Sequence, residues 1–516
     1  MNGSDAARSR NATPDAPTSD PAADLAATTA AWVDRHWDHD TSLLWNPPGA
    51  FGDLAPPHSL HLVPGSAWHA MTLLHRGASD DAERAVGAIE SLLALQYDEP
   101  GTAIHGTFAR FAEWPHPPAD PVMWDDYDPN WRQFLGTTFG LLLRSRPGAL
   151  PGDVEERVVR AMDLAVRGEP DGRVAPWYSN IALMKAWLEV DHGDRTGDTG
   201  LVERGEALAA EVVALFDRHG AFDEYNSATY YGIDLYALAL WRDWSASPRL
   251  REWGGRIESA LWRDLSGFYH AGLRNLAGPY TRSYTMDLTG SVGLLGLWIW
   301  AALGRADAPV PDLPGDPDVA LDHSHDLALG TLVALLGPRI PDDAIADLTL
   351  FRGERRVEHD LGSGRIASAW LAPDVMVGAE RGPADWGGWD QYHPATIHWT
   401  HPDGGVAWLR LLHGGGVDAV ASPGVLEVTA RPPASGRDGT ALLGALGAGE
   451  ARLGSGGRWS LPGLDVRVTS DGALGEPIYG SPGDAGPGGS GEVRLPIAPP
   501  GVGEPLRIRI EVDPRA

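Results

Sequence analysis

Residues 222–238 read FDEYNSATYYGIDLYAL and crowd Asp223, Glu224, Asn226, Tyr230 and Tyr231 into nine positions. A phenol can carry a proton, and an amide or acid beside it can orient a hydroxyl-rich ligand. Asn226 and Tyr230 stand i,i+4 and share a face if a helix begins there. The alternative is that Asn226 is a helix N-cap and the tyrosines are packed aromatics. Other stretches offer similar chemistry. AIHGTFARF (103–111) places His105 and Arg110 in a turn, and imidazole is the natural proton carrier near neutrality. MWDDYDPNWRQF holds Asp125, Asp126, Asp128 and Asn130, which suit either a binding site or the acidic first turn of a capped helix. PWYSNIALM carries Trp177, Tyr178 and Asn180, and GPYTRSYTMD (278–287) carries Arg282 and Tyr284. An arginine there can grip a carboxylate with two parallel hydrogen bonds or simply pair with one of the chain's many acids. GGWDQYHPATIHW (387–399) adds Tyr392, His393 and His398 from a later region, as cleft residues or as an exposed loop.

These stretches share a position. Polar, aromatic-rich segments precede apolar helices at Ser66, Asn130, Asn180, Asn226 and Asp287, at intervals of 64, 50, 46 and 61 residues. Each interval fits one helix–loop–helix unit and holds a charged amphipathic helix, such as 154–168 or 201–220. Helical spacing also predicts helices at 82–97, 180–193, 233–244, 250–265, 290–303 and 325–337. Alternation of apolar with charged helices is what an α/α toroid requires, because its inner helices are covered and its outer ones face water. The N-termini of the inner helices then gather at one mouth, where free N–H groups favour an anionic or hydroxyl-rich ligand.

Past about residue 345 the texture changes. ADLTLFRGERRVEHDL, RIASAWLAPDVMVGAE, ATIHWTHPDGGVAWLRLL and LRIRIEVD alternate or run in β-branched residues between Gly/Pro turns, which predicts antiparallel strands. GDAGPGGSGE (483–492) reads as a loop. The expected organisation is a disordered tail over 1–23, an α/α toroid over 24–340, and an antiparallel β-sandwich over 341–516. At 516 residues the chain is long enough for two such units.

Composition narrows the partners. Net charge is −29, from 41 Lys and Arg against 70 Asp and Glu. Nucleic acids and anionic membranes are therefore unsuitable, since phosphate binding needs basic surface. The absence of cysteine removes disulfides, thiolate metal sites and cysteine nucleophiles. HWDHD (36–40) and HSHD (323–326) lack the spacing of a zinc motif, and no Walker loop, dinucleotide fingerprint or nucleophile elbow occurs, so neither metal nor cofactor is expected. No signal peptide or membrane-spanning run is apparent, which predicts a cytoplasmic protein. The 21 tryptophans divide between core packing and stacking on sugar rings.

A helical toroid followed by a β domain, with Asn, Tyr, His and Arg at the helix starts, resembles the polysaccharide lyases of the chondroitin AC lyase and heparinase II/III type. The resemblance is one of domain order and residue chemistry. It implies that Asn226 or Asn180, with His105 and Arg282, neutralises a uronate carboxylate. Tyr230 or Tyr231, or His105, would remove the C5 proton, and a tyrosine would protonate the leaving oxygen. Trp177, Tyr178, Asp126, Asn130, Arg110, Glu224, Tyr284 and Tyr392 would then bind the saccharide. The acidic balance points to short oligosaccharides. Three rivals remain. One is an inverting glycoside hydrolase with a carboxylate pair from Asp125, Asp126, Asp128, Glu224 and Asp234, whose acids must stand about 6.5–9.5 Å apart. The others are a non-catalytic sugar-binding protein and an isomerase or cyclase of an apolar small molecule.

Overall fold

The computed structural model describes residues 20–48, 59–382, 391–432, 439–445, 452–479 and 492–514. Twelve α-helices occur among them: α1 (Pro21–Val33), α2 (Val63–Arg76), α3 (Asp81–Ala94), α4 (Trp131–Ser145), α5 (Gly152–Arg167) and α6 (Ser179–Thr196). They continue with α7 (Thr199–His219), α8 (Tyr231–Trp244), α9 (Pro248–Phe268), α10 (Leu294–Leu303), α11 (Gly330–Leu336) and α12 (Asp342–Thr349).

Local chemistry sets the ends. Asp198 caps α7 by accepting from the Gly200 and Leu201 amides, and Gly220, in the left-handed region at φ 69°, closes its other end. Ser247 caps α9 through the Leu250 amide, with Pro248 in the first turn. The helices pair as antiparallel hairpins α2/α3, α4/α5, α6/α7 and α8/α9. Within them α2, α4, α6, α8 and α10 pack successively against one another, and α1 completes the arc against α10 and α2. Burial follows the expected alternation. In α8 every residue from Tyr231 to Arg242 is buried, whereas α5 shows one apolar stripe (Val154, Val158, Ala161, Met162, Ala165) and otherwise faces water. The first is an inner helix of an α/α toroid, the second an outer one.

The β region forms two antiparallel sheets packed face to face. Nine strands, among them Arg365–Ala372, Val375–Arg381, Ala395–Thr400 and Val406–Leu412, make one sheet; six, including Val425–Ala430, Leu464–Ser470 and Leu506–Pro514, make the other. Because side chains alternate along a strand, the first sheet serves two cores. Ala367, Ala369 and Leu371 join the helical core, while Trp370 and Ala372 join the sandwich.

Several expectations shift. Residues 21–23, read as part of a disordered tail, are helical: Asp20 accepts from the Ala22 amide and starts α1. The stretch from 346, read as strand, begins as the end of α12, because Pro341 and the acids Asp342 and Asp343 supply a helix start; the strand opens at Arg355. α12 packs on α9, so the helical part runs past 340. The helix read over 325–337 is a 3-10 turn (Ser324–Leu329) leading into α11, and the one read from 290 starts at Leu294. Apart from Glu492, the glycine cluster at 483–492 lies outside the described residues.

Candidate active site

The segments leading into α4, α6, α8 and α10 meet through their polar side chains. Glu224, 1% exposed, lies at the centre. Its Oε2 accepts from Ser179 Oγ at 2.7 Å, Asn180 Nδ2 at 2.7 Å and the Asn180 amide at 3.2 Å. Its Oε1 is paired with Arg282 Nη1. All of these groups donate, a set that suits a carboxylate. Breaking one buried ion pair of this kind costs about 3–5 kcal/mol.

Arg282 joins Glu224 to the phenols. Its Nη2 donates to Tyr230 Oη at 2.8 Å and its Nε to Gln391 Oε1 at 3.2 Å. The guanidinium lies over the Tyr230 ring, 4.1 Å from the centroid, and 5.4 Å from that of Tyr178. Burial opposes its charge, but the oxygens of Tyr230 and Glu224 outweigh burial and hold it above its ordinary value. Tyr230 Oη donates in turn to Tyr284 Oη at 3.0 Å. Burial, then Tyr284, pushes the Tyr230 phenol well above 10, with Arg282 opposing, so Tyr230 keeps its proton at neutral pH. Tyr178, pushed up to about 12 by burial, accepts from Asn130 Nδ2 at 2.8 Å. Asn130 Oδ1 accepts from Arg173 at 2.9 Å, and Arg173 also pairs with Glu169. Tyr178, Tyr230, Arg282 and Tyr284 are all partly exposed, so the cluster opens to solvent.

Backbone contacts hold the Arg282 loop. The Thr281 amide donates to the Tyr225 carbonyl at 3.1 Å, Tyr284 N to Thr229 Oγ1 at 3.1 Å, and Ser227 Oγ donates to the Arg282 carbonyl. The β region grips the other edge. Tyr280 and His393 exchange backbone hydrogen bonds at 3.0 and 2.9 Å, and the Ser283 amide donates to the Gln391 carbonyl at 2.8 Å. His393 Nε2 lies 3.2 Å from the Ser283 carbonyl and His398 Nε2 2.9 Å from that of Met286. Burial holds these imidazoles down at about 3 and about 4, so they are neutral donors to backbone rather than proton carriers.

Of the residues singled out in the sequence, Tyr230, Arg282, Asn180, Tyr178, Asn130, Glu224 and Tyr284 come together. Arg110 stands at the margin, 3.7 Å from the buried Asp128, whose carboxyl burial pushes upward. Trp177 is 52% exposed and its ring stacks on Tyr178 at 6.0 Å. The others take different places. Asn226 is neither a helix cap nor on one helical face with Tyr230, because α8 begins only at Tyr231 and Asn226 sits ahead of it at φ 51°. Fully buried, its Nδ2 donates to the Ala277 and Pro279 carbonyls at 2.7 and 2.9 Å. Tyr231 is buried edge-on to Tyr225. His105 Nδ1 accepts from the Glu99 amide at 3.1 Å and lies 3.8 Å from Asp98, so its ring is turned to this segment while its carbonyl accepts from Arg132. Asp126 closes a turn by accepting from the Val122 amide at 2.7 Å; the acids before α4 lie outside its first turn, which starts at Trp131. Tyr392 is buried, and its neighbour Gln391 is the residue that reaches Arg282. The Ser66 segment stays apart: Ser66 Oγ accepts from the Leu44 amide inside the core. Sequence reasoning missed Gln391, Ser179 and Arg173, for which no motif gives a signal.

Residues 23–338 match the model of a family described as Domain of unknown function (DUF8769). The chain belongs to this family. No curated protein matches the chain in sequence. Among solved structures, the chain is similar to heparinase III at 10% identity, with 98% of this chain and 86% of that one covered and a TM-score of 0.44. It is similar to the Streptomyces coelicolor A3 chondroitin AC lyase at 12% identity, covering 97% of this chain and 80% of the other, TM-score 0.43. A glycosyl hydrolase of family 88 from Bacteroides vulgatus matches at 10% identity over 61% of this chain and 99% of that one, TM-score 0.36. Among the described residues no helix is long and apolar enough to cross a membrane.

Proposed function

We propose that the DUF8769 region carries the active site of a carbohydrate-active enzyme, a lyase that cleaves uronate-containing oligosaccharides by β-elimination. The observation that carries this reading is the Tyr230 hydroxyl held between the Arg282 guanidinium and the Tyr284 hydroxyl. Elimination next to a uronate needs two services. The proton alpha to the carboxylate becomes acidic only when that carboxylate is neutralised, and the departing oxygen must receive a proton. Arg282, partly exposed at the opening, supplies the first. Its 3.2 Å contact with Gln391 is the longest it makes in the cluster, and is the one a substrate carboxylate would displace at least loss. Tyr230, bearing its proton and aligned by Arg282, supplies the second.

Against hydrolysis stands the condition of the acids. Glu224 is buried and occupied by its four donors, Asp234 and Asp128 are buried, and Asp125 and Asp126 lie in the turn ahead of Asn130. The phenols and the guanidinium are the groups at the opening. The net charge of −29 favours short, singly anionic ends over long polyanions, and a cytoplasmic location goes with such substrates.

The test is a panel of uronate-containing oligosaccharides followed by the ultraviolet absorbance of the unsaturated uronate. Tyr230→Phe should lower kcat by about 10²–10⁴ with the fold intact, the usual contribution of a proton-transfer group. A Y230F enzyme within about threefold of the parent, against that same scale, would contradict the assignment.

A further inference from the structure

The HSHD stretch, residues 323–326, fits no metal motif, yet it borders the cluster just described. His323 precedes the 3-10 turn at φ 54° and ψ 25°, a left-handed conformation that costs about 1–2 kcal/mol for a residue with a β-carbon. Strain of this order persists where the surroundings impose it, and it gathers at functional sites. The surroundings here are specific. His323 Nδ1 lies 3.0 Å from Asp322 Oδ1. The ring stacks on Tyr284, centroid to centroid 5.2 Å at 29°, and lies 5.5 Å from the ring of His325. The Asp322 carbonyl accepts from the Val292 amide at 3.0 Å, which ties the dyad to the approach of α10. With Nδ1–H donated to the carboxylate, Nε2 is left as the acceptor nitrogen. Nε2 has no hydrogen-bond partner among the described residues, and the side chain is 20% exposed. This is the arrangement of a general base oriented by a third group.

We propose that His323, oriented by Asp322, is the proton acceptor of the elimination, with Tyr230, which also contacts Tyr284, as the proton donor. The inference rests on the lyase reading above. Neutral Nε2 takes the proton alpha to the uronate carboxylate, and the C–H electron pair becomes the new carbon–carbon double bond. The bond from the adjacent carbon to the glycosidic oxygen breaks, and that oxygen takes the Tyr230 proton. The imidazolium then returns its proton to the phenolate through water, so no oxidant, reductant or cofactor enters. Burial alone would pull the imidazole down; Asp322, by hydrogen bond and charge, and then Asp326 outweigh it and set it above 6.5. The titratable groups against the ring are Asp322, His325 and Asp326 from its own segment and Tyr284 from the facing loop.

The experiment uses full-length His323→Asn, because asparagine tolerates the left-handed conformation. On the uronate oligosaccharides, kcat should fall by about 10²–10⁴ with KM within about threefold and the thermal midpoint unchanged. Asp322→Asn keeps the ring but removes the charge that favours its protonated form. Its kcat/KM should therefore lose its acid limb at lower pH than the parent does, a shift that a purely structural role would not produce. If the parent forms unsaturated product and H323N retains kcat within about threefold on that scale, the assignment of His323 is overturned while the lyase reading stands. If D322N leaves the acid limb in place, the dyad is not the base. If the parent forms no unsaturated product from any uronate saccharide, both fall together.

Discussion

Asn226 separates a residue that builds the site from one that works in it. Its amide bridges two carbonyls of the loop that leads to Arg282, and its backbone takes a left-handed turn that asparagine tolerates. Asn226→Gly keeps the turn and loses two buried hydrogen bonds, about 2 kcal/mol; Asn226→Ala adds the strain of a β-carbon there, for a total of about 3–4 kcal/mol. Denaturant titration measures both. On the present reading the folded fraction of each keeps kcat within about threefold, far less than the loss expected for a proton-transfer group. A large loss of kcat in folded N226G would put Asn226 on the substrate. At this scale the sequence was informative about type and placement. Asn130, Asn180 and Tyr230 stand where polar residues precede apolar helices, and their neighbours hold them together. The role of Asn226 was not legible, because a cap and a left-handed tether call for the same residue and differ only in where the helix begins.

Among elements, the loop 278–284 decides the most. It is wedged between the turn ahead of α8 and the first sheet, and two glycines allow the approach. A β-carbon on Gly378 would lie 2.1 Å from the Gly278 carbonyl oxygen, and one on Gly278 would lie 2.4 Å from Thr396 Oγ1. Gly378→Ala must therefore push the loop, and Arg282 with it, away from the strand. Overpacking of this kind destabilises by about 1–3 kcal/mol, and a displacement of about 1 Å at a reacting group lowers turnover by about a hundredfold. A variant of similar stability loss in the sandwich core, Leu443→Ala, should leave kcat nearly unchanged. Equal kcat losses in G378A and L443A would detach the loop from catalysis. Helical periodicity located most of the helices, and polar helix starts located most of the cluster. It could not pair Arg282 with Glu224, 58 positions away, because such a partnership is made by the packing of α8, the loop and the sheet rather than by any local pattern.

For the whole molecule, the helical and β regions share both a core and the site. Ala367, Leu371, Met376 and Trp408 are packed into the helical core, and Gln391 and His393 hold the Arg282 loop from the sheet side. A fragment ending at residue 350 loses those partners, leaving the carbonyls of Tyr280 and Ser283 without the donors His393 supplies and that of Met286 without His398. It should lose turnover by at least about a hundredfold and bind a hydrophobic dye, as checked by product formation and dye fluorescence. A fragment that folds and turns over normally would make the β region an accessory. The change of texture near residue 345 was visible in the sequence as alternation replacing helical spacing. That the β region reaches the site was legible at 387–399, but not through which residue, because Tyr392 is buried and its neighbour Gln391 is the one that packing sets against Arg282.

Solvent labelling separates elimination at the Arg282–Tyr230 cluster from hydrolysis there. Turnover of a uronate oligosaccharide in water enriched in heavy oxygen, read by mass spectrometry of both products, distinguishes bond cleavage by elimination from cleavage by water. Elimination gives an ultraviolet-absorbing unsaturated uronate on one fragment and introduces no solvent oxygen at the cleaved bond, and this is the expected result. Heavy oxygen at the newly formed end, with no unsaturated product, would contradict it.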